Sequence, residues 1–179
     1  FDDGPTKELT PWIVNTLNDL SIKATFFCIG ENAKKYPENI ALLIKNGHQV
    51  GNHTYSHING WRNSKETYLA DIQKCSEVIP KTNLFRPPYG KLNPLHIKAI
   101  RKKYIIIMWD LLSYDFRKNM TKEKLKKNIL NNVKNGSIIV FHDNKNSKKL
   151  LQSALHEILL ELKNQRFIFK LFSSNTKEV

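Results

Sequence analysis

The chain has 179 residues, 40% of them hydrophobic, enough for one domain with its own core. No apolar run approaches the ~20 residues of a membrane span, so a transmembrane segment is excluded from this sequence. Lys and Arg outnumber Asp and Glu by 29 to 16, a net charge of +13. Lysines concentrate on predicted helices (Lys98, Lys102, Lys103, Lys122, Lys124, Lys126, Lys127), which reads as solvated helix faces, with attraction to an anionic polymer as the sharper alternative. No nucleic-acid motif accompanies the charge, so nucleic acid is not an expected partner.

The chain opens on Phe1-Asp2-Asp3-Gly4-Pro5. Most of a first strand and any targeting segment are therefore expected upstream; no signal peptide is visible. Thr10 is expected to cap a helix with Pro11 at its first position, running to about Leu20. Residues 24–28 read as a buried strand closed by Gly30. Pro37 opens the next helix, and Asn46-Gly47 stops it. A short strand follows from His48 to Gly51. Ser64 caps a long helix, and residues 83–85 form a brief strand. Pro94 starts a helix to about Lys103, and residues 104–109 form a β-branched strand. Thr121 caps a helix through Val133. Residues 137–141 make a buried strand, Ser147 to about Asn164 a helix, and 167–171 a last strand. Cys28 and Cys75 read as buried thiols, with a disulfide between them left open.

Strands alternate with helices, and with Phe1 as the stub of a first strand seven are expected. This order implies parallel strands with helical crossovers. Polar clusters (Asp2-Asp3, His53 to His57, Arg86 to Tyr89, Asp110 to Asp115, His142-Asp143) each follow a predicted strand. In a β/α barrel such positions converge on one face, where chemistry resides. No glycine-rich phosphate fingerprint is present.

His53 and His57 can meet one ion if their segment turns helically. Adjacent Asp2 and Asp3 reach one site only if their strand ends there, as Gly4-Pro5 predicts. Asp3, His53 and His57 then form a two-histidine, one-carboxylate set with room for water or substrate. The set suits zinc or non-haem iron; the expected scaffold favours zinc. His142, with an acidic neighbour, suits a general acid, and Arg86 can hold a carboxylate bidentately. His48, His96 and His156 are expected away from the site. Trp12 and Trp109 are expected in the core, and Trp61 against a sugar.

Taken together, these residues resemble the polysaccharide deacetylases of the NodB-homology type, carbohydrate esterase family 4. Phe1 to Pro5 resembles that family's first motif, and Asn52-His-Thr-Tyr-Ser-His57 its metal-binding motif. Arg86-Pro-Pro-Tyr-Gly90 resembles the third, Trp109 to Phe116 the fourth and Ile139 to His142 the fifth. The resemblance implies a distorted (β/α)7 barrel of α/β class. It implies Asp2 as the base, Asp3, His53 and His57 as ligands of zinc (or another divalent ion such as cobalt), and Arg86 orienting Asp2. It implies the Tyr89 backbone N–H at the oxyanion, and His142 as the acid tuned by Asp115. Pro88, Tyr89, Trp61, Phe116 and Val140 are expected at the substrate. Leu112 and Phe116 stand where the family usually has Asp and Trp, and Val140 where it has Leu.

The expected protein is one catalytic domain over residues 1–179. The expected reaction is metal-dependent N-deacetylation of N-acetylglucosamine in peptidoglycan or a chitin-like glycan. The alternatives are O-deacetylation of a glycan such as acetylxylan, or a non-catalytic binder of anionic polymer. The substrate class implies the cell envelope or secretion.

Overall fold

The computed structural model describes residues 1–173. Its elements are α1 (Leu9–Asp19), β1 (Thr25–Cys28), α2 (Gly30–Lys35), α3 (Pro37–Lys45), β2 (Gln49–Asn52), α4 (Lys65–Ser76) and β3 (Leu84–Phe85), then α5 (Pro94–Ile100), β4 (Ile105–Ile106), β5 (Leu111–Leu112), α6 (Lys122–Asn132), β6 (Ile139–Val140) and α7 (Lys148–Asn164). One sheet runs β1-β2-β3-β4 and a second pairs β5 with β6. Every pairing is parallel.

Asp2 joins the two sheets through parallel bridges to Phe27 and His142. Its N–H donates to the Phe141 carbonyl at 2.9 Å, and its carbonyl accepts from the Asp143 N–H at 2.8 Å. The first residues therefore fill the position between β1 and β6, and the strands follow one another around an α/β barrel in chain order. Residues 107–110 carry the chain from β4 to β5 without a helix, and that step distorts the barrel.

Seven strand positions were expected, but the seventh is β5. Residues 167–171 do not pair as a strand. Just beyond them, the Gln49 side chain occupies the backbone of Phe172, donating to its carbonyl at 2.7 Å and accepting its N–H at 3.0 Å. The first helix also begins differently. It starts at Leu9, and Thr10 lies inside it, its hydroxyl donating to Asp143 instead of capping. Ser64 and Thr121 do cap α4 and α6, accepting from the N–H groups of Thr67 and Lys124.

The largest core cluster lies between helices and barrel. Leu9, Ile13 and Leu17 of α1 recur every four residues and pack with Leu151, Leu155, Ile158 and Leu162 of α7 and with Phe26 of β1. Cys28 and Cys75 are both buried and free. The Cys75 thiol donates to the Cys28 carbonyl at 3.5 Å, and burial pushes it up to about 12. Gly51, opposite Phe27 in the β1–β2 register, leaves room for the Phe27 ring, which any Cβ at 51 would strike. That ring carries a functional side chain.

Candidate active site

Strand ends deliver the polar residues to one place. Asp3 has φ 78°, His57 φ 54°, Thr54 φ 63°, Tyr89 φ 61° and Tyr114 φ 60°. These five, out of seven non-glycine residues in the left-handed region among the described residues, all belong to the expected site segments. Such conformations are costly for L-residues and persist where surroundings impose them. For Asp3 the turn resolves the adjacency problem, because it swings this side chain to the same site as Asp2.

The Asp3 Oδ1 atom lies 3.2 Å from His57 Nε2 and 3.6 Å from His53 Nε2. The donor atoms of all three lie within 4.8 Å of one another. The histidine segment is not the helical turn that the spacing suggested. Residues 53–57 form an irregular loop, shaped by Asp71 of α4, whose Oδ2 accepts the N–H groups of Tyr55 and Ser56 at 2.7 and 3.0 Å.

The surroundings orient each donor. His53 Nδ1 donates to the Arg86 carbonyl at 2.7 Å, which fixes the tautomer and leaves Nε2 bare toward Asp3. The Tyr89 hydroxyl meets His57 Nδ1 at 3.0 Å. Asn144 donates to Asp3 Oδ2 at 2.7 Å, and Asn32 to the Asp3 carbonyl at 2.8 Å, so Oδ1 is left facing the imidazoles. Two imidazole nitrogens converging on one carboxylate oxygen fit a divalent metal ion with open positions for water or substrate.

Asp2 lies beside this set. Its Oδ1 accepts from Arg86 Nη1 at 2.7 Å. Arg86 is buried, donates from Nε and Nη2 to the Ile107 and Met108 carbonyls, and stacks 4.1 Å above the Phe27 ring. Burial pushes the Asp2 carboxyl up, but the Arg86 charge and then His53 outweigh it, and the group stays below the usual carboxylate range. Burial, helped by the nearby His57, drives His53 down against the pull of Asp2 and Asp3, toward the neutral form that ligates.

On the other side stands His142. Asp143, its neighbour in sequence, does not pair with it. The Asp143 carboxylate turns away to accept the hydroxyls of Thr6 and Thr10, in a space that a Cβ on Gly4 would occupy. The partner is Asp115, whose Oδ1 meets His142 Nδ1 at 2.7 Å while Oδ2 accepts the His142 N–H at 2.8 Å. Ser113 donates to the same Oδ1 at 2.8 Å. Burial lowers His142, and the Asp115 bond and charge more than compensate, so it lies above the ordinary histidine range.

The remaining expected residues divide. Among the described residues the Tyr89 N–H has no acceptor. Pro88 is buried beneath it. Phe116 sits edge-on to the His142 ring at 4.8 Å and is 37% exposed. Val140 is 0% exposed, so it lies under the site and not at its surface. Trp61 is 68% exposed and stacks on no described ring. Asp110 belongs elsewhere: it accepts from Ser137 and the Ile138 N–H at the entry to β6. Sequence reasoning missed Asn32, Asp71, Ser113 and Asn144. Ser113, inside the expected Asp110 to Asp115 cluster, and Asn144, next to the strand-end pair His142-Asp143, carried a positional signal.

A two-histidine, one-carboxylate set at the carboxyl ends of parallel barrel strands, between an Asp–Arg and an Asp–His pair, defines a metal-centre class of barrel protein. The family model described as polysaccharide deacetylase matches residues 1–105, and the chain belongs to that family. It is 36% identical over 148 residues to a peptidoglycan-N-acetylglucosamine deacetylase of Bacillus cereus, covering 79% of this chain and 54% of that protein. A second protein of the same name and organism is 33% identical over 94% of this chain and 82% of its own length. The chain thus spans about half of the first relative. Among solved structures, a peptidoglycan N-acetylglucosamine deacetylase in complex with 4-naphthalen-1-yl-N-oxidanyl-benzamide superposes with a TM-score of 0.90. Its identity is 32%, covering 95% of this chain and 82% of that one.

Proposed function

We propose that this chain is a zinc-dependent hydrolase that removes N-acetyl groups from N-acetylglucosamine residues of peptidoglycan. The observation that carries the reading is the convergence of Asp3, His53 and His57 beside the buried Asp2–Arg86 pair. The relatives' names support the substrate. Asp3, His53 and His57 would hold the ion, which supplies Lewis acidity at the acetyl carbonyl and a more acidic water.

The protein's own groups handle the protons. Asp2 is held ionised by Arg86 and takes a proton from the attacking water as general base. The Tyr89 N–H donates to the oxygen that gains charge in the transition state. His142, kept protonated by Asp115, returns a proton to the departing amine nitrogen, so the C–N bond breaks with a neutral amine leaving. Phe116 shields the His142 ring from water and walls the acetyl group, with Val140 as the floor beneath. Trp61 offers an open indole face to a sugar ring further along the glycan. The site belongs at the cell envelope, where this polymer lies. No described helix is long and apolar enough to cross a membrane.

Acetate release from purified peptidoglycan, lost on chelation and in Asp2→Asn, tests the reading. Release from acetylxylan alone would replace it with O-deacetylation.

A further inference from the structure

The turn that carries Asp115 also faces outward. Ser113 and Asp115 are buried, whereas Phe116 and Arg117 are exposed and Tyr114 is half-buried. Tyr114 is left-handed, and its carbonyl accepts the Arg117 N–H at 3.0 Å, which closes the turn. The Arg117 guanidinium lies 4.1 Å over the Tyr114 ring. Tyr114 meets Phe116 at 6.5 Å, and Phe116 meets His142 at 4.8 Å. Arg117 is therefore held two aromatic rings from the His142 imidazole.

This guanidinium has no carboxylate partner among the described residues. A planar cation resting on an aromatic face keeps its donor edge free, the geometry suited to bidentate capture of a carboxylate. Arg62, Lys91 and Lys145 are exposed on the segments after β2, β3 and β6, and they too have no ion-pair partner there. Carboxylates near them are committed: Asp3 to the imidazoles, Asp71 to backbone N–H groups and Asp115 to His142. Among the described residues, Glu31, Glu66 and Glu123, in the first turns of α2, α4 and α6, add negative charge at the helix starts after strands, and Glu8 before α1 is paired with Lys148. The loops around the site thus present net positive charge, led by one pre-positioned arginine.

We propose that Arg117 is a specificity residue that pairs with a carboxylate on the glycan, so that the site selects an N-acetylated polymer bearing carboxylates over a neutral one. The proposal rests on the deacetylase reading and refines its substrate to a sugar chain with an acidic substituent near the reacting acetamide. Chemistry of this kind is supplied by a lactyl ether or a uronic acid.

The test is equilibrium binding to the full chain carrying Asp2→Asn, which leaves the ligand unaltered. The probes are a tetrasaccharide of alternating N-acetylglucosamine and N-acetylmuramic acid, its carboxyl-reduced counterpart, and chitotetraose. Asp2→Asn protein is expected to bind the carboxylated probe about 5- to 10-fold tighter than the reduced one, and added salt should narrow the gap. Adding Arg117→Gln should erase the preference, and Arg117→Lys should restore part of it, with thermal midpoints unchanged. Equal preference with and without Arg117→Gln overturns the proposal. So does no preference before that substitution, including failure to bind any probe. Acetate release by the unmodified chain is read separately: carboxylate preference without acetate release contradicts the deacetylase reading and leaves the Arg117 pairing standing.

Discussion

Asp115 grips His142 at two points, Oδ1 on the ring Nδ1 at 2.7 Å and Oδ2 on the backbone N–H at 2.8 Å. The first bond raises the imidazole's proton affinity, and the second prevents the carboxylate from following any other partner. If His142 acts as the acid, activity is lost as pH rises through its raised pKa. Asp115→Asn withdraws the charge, lowers that pKa and moves the alkaline limb of the kcat profile down by about 1–2 units. A kcat loss of about 100-fold at neutral pH accompanies the shift. A profile that falls in height without moving contradicts this role.

Arg86 is the buried counter-charge of Asp2 and donates three hydrogen bonds. Arg86→Met leaves Asp2 buried and unpaired, and the expected cost is about 3–5 kcal/mol of stability. Combining it with Asp2→Asn should recover a large part of that loss, since no uncompensated charge remains. Denaturant unfolding of both singles and the double measures the coupling. Strict additivity would mean that the pair does not interact as described.

The Tyr89 hydroxyl reaches His57 Nδ1 at 3.0 Å, so it supports a metal ligand from behind. Tyr89→Phe keeps the ring and the backbone N–H and removes only this contact. Metal affinity should fall about 10-fold, while His57→Ala or His53→Ala should abolish stoichiometric binding. Competition with a chelating dye reads both. Unchanged affinity in all three variants would remove the metal centre from the account.

Burial pushes the Asp143 carboxyl up to about 6, although the Thr10 and Thr6 hydroxyls oppose the shift. Its folded pKa exceeds the unfolded value of about 3.9. The group therefore favours folding below about pH 4, and that contribution is lost as pH rises through about 6. Asp143→Asn removes the dependence. Thermal midpoints of metal-free protein between pH 4 and 7 should fall less in the variant than in the parent; parallel curves contradict the assignment.

The residues that meet at the site were legible because each stands at the end of a strand, and strand ends are marked by Gly, Pro or a change in polarity. What lay outside the sequence was side-chain direction. Asp110, Asp115 and Asp143 all adjoin strand ends, yet Asp110 turns to the entry of β6 and Asp143 to Thr6 and Thr10. The family resemblance implied Asp115 as the partner of His142, whereas position along the chain did not separate it from the other two, and in the fold Asp115 is the one that meets the ring. Strand identity failed where pairing decided it: alternating Phe167 to Leu171 reads as a strand but pairs with none, and Gln49 takes up the backbone of the next residue, Phe172, while Leu111–Leu112 is two residues long and is made a strand by β6. The helical turn expected for His53 to His57 failed for a similar reason, since Asp71, distant in sequence, holds that loop open. Trp61, expected against a sugar, offers an exposed face with no described ring upon it.

The central claim is that Asp2, beside a metal held by Asp3, His53 and His57, drives acetyl hydrolysis. Acetate released from purified peptidoglycan tests it most directly, using metal-loaded parent, chelated parent and metal-loaded Asp2→Asn. The account predicts release by the loaded parent alone, with Asp2→Asn reduced at least about 1,000-fold while retaining its metal. Full release by Asp2→Asn, or by the chelated protein, would contradict it.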